Sequence, residues 1–452
     1  MRSVLFEIKY LLIFEILLLS VFAIFDFVTF LSLSIGLFII PFFFLIFKYP
    51  IFGVHLLVYS ILAGSIGVAK LGGKAPIILY VDLVLFFLCV LAFIKILLEY
   101  DLLSIKVEKI NLYFLVFLFW SLVIVLIAIN KPRALFVWKS YFAGFFVFTY
   151  LMFFLKDGKN VRWLLYSIIL WGLVLSIIQF KILLDIGGFS TGILGLFLKK
   201  NLLATSWGRS NYLATFFVLI IPITIGLLIY VTELKKRIFL FISLVVMSSA
   251  MLLTLSRGGL IALFSALIIF LAKATKPRTF IPILLVFIAL ILVIVLNPLG
   301  TVIMERISSF ERSASYFTRV NFYEDVWKTF LNYPITGVGL GNLGYYAQFV
   351  ISSQASAHNI ILGMLGEIGL IGAGLFMLLI LKFFKDVVSK FKNEKVDELK
   401  ILRWAFISSF VGGGVHSLME PNFEGVQFSI IFWVCAGIYY KLNFLVDKKF
   451  SP

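Results

Sequence analysis

Arg257 is the only charge between two apolar runs, in Leu253-Thr254-Leu255-Ser256-Arg257-Gly258-Gly259-Leu260. Two glycines let backbone N–H groups come close to whatever the guanidinium holds, and the helix that follows presents its positive N-terminal end. Arginine, Ser256 and exposed amides together suit an anion, phosphate above all. An arginine snorkelling from a helix end fits the same spacing. Arg209, in Trp207-Gly208-Arg209-Ser210-Asn211, stands before another apolar span and repeats the pattern more weakly. Arg319 opens an amphipathic stretch, and both it and Arg209 also read as headgroup anchors.

His358, in Ser356-Ala357-His358-Asn359, lies where a long polar segment gives way to an apolar one. A neutral imidazole at such a boundary can take a proton from a hydroxyl at ordinary pH, which a carboxylate or an arginine does poorly. A structural histidine is the competing reading. Glu367 lies nine residues further on, which at 100° per residue sets it on the opposite helix face and away from His358. His416 and Glu420, four apart, would share a helix face as a second acid/base pair or as a structural hydrogen-bonded one. His55 stands alone in an apolar run. Gly337-Val338-Gly339-Leu340-Gly341-Asn342-Leu343-Gly344 lacks the surrounding βαβ unit of a nucleotide loop and reads as a tight turn that seats its segment on the membrane. No outer loop has a D-x-D or a His/Asp cluster with metal spacing, so the arginines must neutralise any phosphate handled there. A substrate already activated by diphosphate fits that need.

The elements that must position these groups follow from composition. Of 452 residues, 62% are hydrophobic and 13% charged, against roughly 45–50% and about 25% in soluble domains. An integral membrane protein remains. Cys89 and Cys435 lie inside apolar runs and read as small buried hydrophobes. Segments such as Phe280 to Leu296 are apolar on every side, which selects helices over barrel strands.

Crossing a core of about 30 Å takes roughly 20 apolar residues, and on that ruler the chain is an all-α polytopic bundle of 12 to 14 transmembrane helices. The windows include 10–25, 27–47, 51–69, 76–98, 211–231, the short pair 238–255 and 258–272, 279–296, 359–381, 404–420 and 425–445. Arg2 and Lys9 precede the first window, but Glu7 and Glu15 interrupt it and no cleavage pattern follows, so it reads as a retained span. Most of the 39 Lys and Arg then fall on the side of both termini, which sets the termini in the cytoplasm. The whole chain, 1–452, is expected to be one polytopic domain. Residues 297–358 form a long extracytoplasmic loop within it, and 382–403 a solvated cytoplasmic loop. In the outer loop, Tyr316 to Leu331 carries Val320, Tyr323, Val326, Trp327 and Phe330 at helical spacing, which predicts a helix on the bilayer surface ended by Asn332-Tyr333-Pro334.

Leu255-Ser256-Arg257-Gly258-Gly259, then Pro334 to Asn342, then Ala357-His358-Asn359 running into Gly366-Glu367-Ile368-Gly369-Leu370-Ile371-Gly372, resembles the O-antigen ligase/O-antigen polymerase superfamily over residues about 205–375. The resemblance implies a multi-pass glycosyltransferase of the bacterial cytoplasmic (inner) membrane, with no metal or other cofactor and its site on the extracytoplasmic side. It would move a glycan from undecaprenyl diphosphate onto a hydroxyl of a lipid, glycan or protein acceptor, with the lipid bilayer and no nucleic acid as its other partner. His358 is then the catalytic histidine, Arg257 holds the diphosphate, Arg319 is a second phosphate ligand, and Arg209 fits the pattern only in part. Ser256, Asn359, Glu367, His416 and Glu420 are supporting candidates. The motifs do not separate a ligase from a surface-polysaccharide polymerase or a protein glycosylase. From another class, a transporter would use Glu15, Asp82 and Glu367 as intramembrane carboxylates, although the two halves show no repeat. A purely structural envelope protein gives the loop Arg and His no role.

Overall fold

The computed structural model describes residues 45–61, 67–69, 78–99, 108–187, 205, 207, 210–274, 314–346, 357–392 and 397–445. They fold as helices with one minimal strand pair. α1 spans Pro50–Ser60, and β1 (Gly67–Ala69) pairs antiparallel with β2 (Ile78–Leu79) ahead of α2 (Tyr80–Glu99). α3 (Lys109–Ile127), α4 (Lys131–Phe154), α5 (Gly158–Asp185), α6 (Ser210–Tyr230), α7 (Leu234–Leu253) and α8 (Arg257–Ala274) follow. α9 covers Ala314–Asn332, α10 Ile360–Lys392, α11 Asp397–Ser417 and α12 Val426–Tyr440. Among the described residues seven helices, α2 to α7 and α10, are long and apolar enough to cross a bilayer, and α1 and α12 are shorter apolar helices.

Two windows are corrected. The expected span 51–69 is an 11-residue helix that stops at Ser60, with Gly67 to Ala69 extended, and the next helix starts at Tyr80, not 76. Gly64, Gly67, Gly72, Gly73 and Pro76 interrupt the apolar run, and neither residue type sustains a helix interior. Residues 382–403 are also not a loop where they are described, because α10 runs on to Lys392 and α11 begins at Asp397. Phe383, Val387, Leu399 and Leu402 keep an apolar stripe buried there, and Lys382 pairs with Asp386 one turn on. The windows 10–25 and 279–296 and nearly all of 27–47 lie outside the described residues.

Local chemistry sets several helix starts. Asn130 caps α4, its side-chain oxygen accepting from the Arg133 N–H at 3.0 Å, with Pro132 in the first turn. Asp157 caps α5 by accepting from the Asn160 N–H at 2.7 Å. α12 packs along α4, and α11 lies between α6 and α8. Small residues bring these helices close, Gly144 of α4 against Trp433 of α12 and Gly412 of α11 against Ala266 of α8. The outward faces of α2, α3 and α7 expose Phe86, Phe93, Phe119, Leu126, Phe241 and Val245. Such an apolar belt suits lipid, where backbone groups must be satisfied within the protein.

At one end of the bundle five chain segments meet: the α3–α4 turn, the Leu255–Arg257 turn, the glycine loop 337–345, the start of α10 and the α11–α12 turn. At the other end the fully buried Arg403 lies over the Tyr439 ring and donates to the Tyr439 carbonyl and to Asn443 Oδ1. α11 is locked to the chain after α12 by those contacts.

Candidate active site

His358 sits immediately before α10 with a left-handed backbone, φ 48°. Asn359 caps the helix, its Oδ1 accepting from the N–H groups of Ile361 and Leu362 at 2.9 and 3.1 Å. The cap fixes where the imidazole emerges. His358 Nδ1 is 3.0 Å from Glu420 Oε2, with the histidine side chain 40% exposed and the glutamate 5%. A carboxylate only accepts, so the Nδ1 hydrogen points at Glu420 and Nε2 keeps its lone pair for a proton from outside. Glu420 is held in turn by Asn211, whose Nδ2 donates to Oε1 at 2.6 Å. A buried carboxyl group is therefore in contact with a half-exposed imidazole.

The Arg257 turn lies against the same group. Leu255 has φ 51°, and among the described residues it and His358 are the two non-glycine residues with positive φ. Strain of this kind gathers at functional sites, where the surrounding structure must hold it. Ser256 is buried and caps α8, its Oγ accepting from the Gly259 N–H at 3.2 Å. Arg257 is the first residue of α8 and is exposed. A Cβ on Gly258 would come within 3.0 Å of Met419 Sδ, and one on Gly259 within 2.7 Å of Ala214 Cβ. The turn thus packs beside the residue that precedes Glu420 and beside the first turns of α6.

His416 and Glu420 each bond to other partners. α11 ends at Ser417, and the Glu420 N–H still donates to the His416 carbonyl at 3.0 Å, so Glu420 stands on the turn that closes the helix. Their side chains bond in different directions. Glu420 reaches His358 and Asn211, while His416 Nδ1 lies 3.0 Å from Thr215 Oγ1 and 3.0 Å from Asn422 Nδ2. Asn422 Nδ2 also donates to Ser417 Oγ at 3.0 Å. His416 therefore anchors the turn that carries Glu420.

Glu367 is buried, with the Gly341 N–H donating to its carboxylate and Arg133 interacting with its charge. Here α10 breaks, at Gly369 (φ 66°, ψ −173°). The break frees carbonyls that the glycine loop then satisfies: the Val338 N–H donates to Gly366 O at 3.0 Å and the Gly339 N–H to Glu367 O at 2.8 Å. Trp120 Nε1 donates to Ile368 O at 3.3 Å. Gly337 has φ 64°, and a Cβ there would sit 2.4 Å from the Glu367 carbonyl carbon, so only glycine fits. Asn342 ties the loop to the α3–α4 turn, its Oδ1 accepting from the Asn130 N–H at 2.8 Å. The glycine motif is thus a backbone clasp on a broken helix.

Arg319 lies within α9, and α9 packs on α10 through Phe322 and Val326. Val320 and Trp327, expected on the same apolar stripe as Val326, are exposed. Arg209, Glu15 and residues 297–313 and 347–356 of the outer loop lie outside the described residues. Asp82 forms an ion pair with Lys139 inside the bundle. His55 Nδ1 lies 3.0 Å from Ser167 Oγ, a buried contact between α1 and α5.

Sequence reasoning missed Asn211, Arg133 and Glu424. Glu424 closes the 3-10 turn Asn422–Glu424, and burial pushes its carboxyl from 4.5 up to about 7, against the downward pull of Arg133 and His358 and with Glu420 adding to the rise. A polar side chain in the first turn of an apolar span, such as Asn211, was the one available signal.

Residues 242–377 match the family model described as O-Antigen ligase. No curated protein matches the chain. The matched stretch carries Arg257 near its start and His358, the glycine clasp and the break of α10 near its end, whereas Asn211 and Glu420 fall outside it. Residues 242–377 are thus similar to the O-antigen ligase family, within a chain whose described residues include seven helices long and apolar enough to cross a membrane.

Proposed function

We propose that the chain is a glycosyltransferase that moves a glycan from undecaprenyl diphosphate to an acceptor hydroxyl on the outer face of the bacterial cytoplasmic membrane. The observation that carries this reading is His358 oriented by the buried Glu420, 3.0 Å away, beside the turn that bears Arg257. The acceptor hydroxyl attacks the anomeric carbon and gives its proton to His358 Nε2. The bond from that carbon to the diphosphate oxygen breaks, and its electron pair leaves with undecaprenyl diphosphate. Glu420 stabilises the imidazolium, and Arg257 with the N-terminal end of α8 stabilises charge on the leaving oxygen. Arg319 and Arg209 are assigned to the same diphosphate. Ser256 and Asn359 act by shaping the two turns, His416 by fixing the Glu420 turn, and Glu367 by anchoring the α10 break. No step requires a metal, and a single displacement inverts the anomeric centre.

The test is to incubate the purified full chain in EDTA with undecaprenyl-diphosphate oligosaccharide and a panel of lipid, glycan and protein acceptors, beside His358→Ala. Transfer that the variant loses by about 10²-fold or more supports the reading. The acceptor used then distinguishes ligase, polymerase and protein glycosylase. Retention of the donor's anomeric configuration, or solute uptake into proteoliposomes without transfer, overturns it.

A further inference from the structure

The first turns of α6 meet the α11–α12 turn through two layers of hydrogen bonds. Asn211 and Thr215, four residues apart, lie on one face of α6. In the layer nearer the helix start, Asn211 Nδ2 donates to Glu420 Oε1 at 2.6 Å, while Glu420 Oε2 faces His358 Nδ1 at 3.0 Å. In the deeper layer the buried Thr215 Oγ1 lies 3.0 Å from Asn422 Oδ1 and 3.0 Å from His416 Nδ1, and Asn422 Nδ2 donates to Ser417 Oγ at 3.0 Å. That deeper layer ties α6 to α11 and to its turn without the Asn211 side chain. Packing adds a further tie, because a Cβ on Gly259 of α8 would come within 2.7 Å of Ala214 Cβ. The bond from Asn211 to Glu420 is therefore not needed to hold this corner of the bundle together.

We infer that Asn211 is a positioning residue for transfer, one that pins the Glu420 carboxylate so that Oε2 stays on His358 Nδ1. The inference rests on the transferase reading above. The last torsion of a glutamate side chain is broad, and a partner on the far oxygen is what fixes the plane of the carboxylate. Asn211 Nδ2 only donates, so it engages Oε1 and leaves Oε2 to accept from the His358 Nδ1–H. With that hydrogen committed, Nε2 keeps the lone pair that takes the acceptor's proton. The same pinned oxygen then faces the imidazolium. The proton passes from the acceptor hydroxyl to Nε2, and Asn211 gains and loses none. An aspartate at 211 would not serve, because two carboxyl groups so close share one proton and draw Glu420 into a pair of their own.

The first test needs no turnover. The chain has three histidines, so nitrogen NMR of the full-length protein in nanodiscs, labelled only at histidine, reads each ring, and His358→Gln assigns the one in the site. At a pH where the rings are neutral the parent should show His358 in its Nδ1–H form. Asn211→Leu, close in size but without a donor, should move a large share of that ring to the Nε2–H form. His55 and His416 should stay as they are, because the deeper layer is intact. An unchanged His358 signal overturns the inference, as does a change in all three rings, which would make Asn211 a support of the fold. If Asn211→Leu fails to fold, Asn211→Ser, too short to bond Glu420 in place, is read by the same signals.

The second test is a double-mutant cycle on kcat/KM. Asn211→Leu removes a hydrogen bond to a charged group and should lower kcat/KM about tenfold in the parent. In a Glu420→Ala background it should cost nothing further, since the group it positions is already gone. Losses that multiply independently would mean that Asn211 acts elsewhere and overturn the inference. A shifted His358 tautomer without transfer to any acceptor would instead sink the transferase reading and leave the alignment of His358 by Asn211 and Glu420 standing.

Discussion

Replacing Glu420 by Gln keeps an acceptor for the His358 Nδ1–H and removes the charge behind it. A hydrogen bond to a charged group contributes about 1.5–3 kcal/mol, so Glu420→Gln should slow transfer by about 10- to 100-fold with the protein still folded. A steady-state rate beside a melting curve checks this, and an unchanged rate would reduce the Glu420 contact to packing. Arg257→Lys replaces a planar fork by a point charge and should cost about tenfold or more in kcat/KM. Near-parent activity in that variant would leave Arg257 as a helix anchor. His358 and Arg257 stand out as candidates in the sequence, because an ionisable group at the edge of an apolar run is costly enough to need a reason. Glu420 was legible only as a candidate, without its contact to His358. The contact that matters joins residues 62 apart in the chain, and its support from Asn211 spans 209. No periodicity reports such distances.

The two halves of α10 owe their geometry to the clasp. Gly369→Ala would place a Cβ 2.2 Å from the Ile335 carbonyl oxygen at a φ of 66°. It should therefore lower stability by at least about 1–3 kcal/mol, read as a drop in melting temperature. Asn342 is fully buried and accepts from the Asn130 N–H. Asn342→Ala leaves that N–H without its partner and should cost about 1–3 kcal/mol. It should also impair transfer, since the loop it anchors packs against Arg133. Equal stability of parent and Asn342→Ala would show that water replaces the amide. The sequence marked this segment as a turn through its glycines, and the turn is there. What it turns onto was not readable, because glycine patterning reports backbone freedom and not the partner that exploits it. The same holds for α1, where the apolar content suggested a span and the glycines decided otherwise.

Across the whole molecule, the charge bias assigns the α3–α4, α7–α8 and α11–α12 turns and the long loop to one side of the membrane, and those turns meet at one end of the bundle. Cysteines introduced at the exposed Lys328 and Lys235 test the sidedness. A membrane-impermeant thiol reagent applied to intact cells should label position 328 and reach position 235 only after permeabilisation. The reverse pattern would invert the topology. Within the bundle the Asp82–Lys139 ion pair links α2 to α4. Removing one partner, as in Lys139→Met, should destabilise by about 3 kcal/mol, and Asp82→Leu in the same protein should restore much of it. Full additivity of the two losses would mean that the groups do not act as a pair.

By itself the sequence determined the solvent and the architecture class, because hydrophobic content and helix length are properties of local segments that a bilayer reads directly. It also singled out Arg257 and His358 as candidates, since each is conspicuous within its own short segment. Only the tertiary structure decided that Glu420 contacts His358, that His416 bonds to Thr215 and Asn422, and that the glycine motif clasps a broken helix. Those relations depend on which helix ends meet, and helix packing arises from close approach at Gly144, Gly412 and similar contacts between segments far apart in the chain.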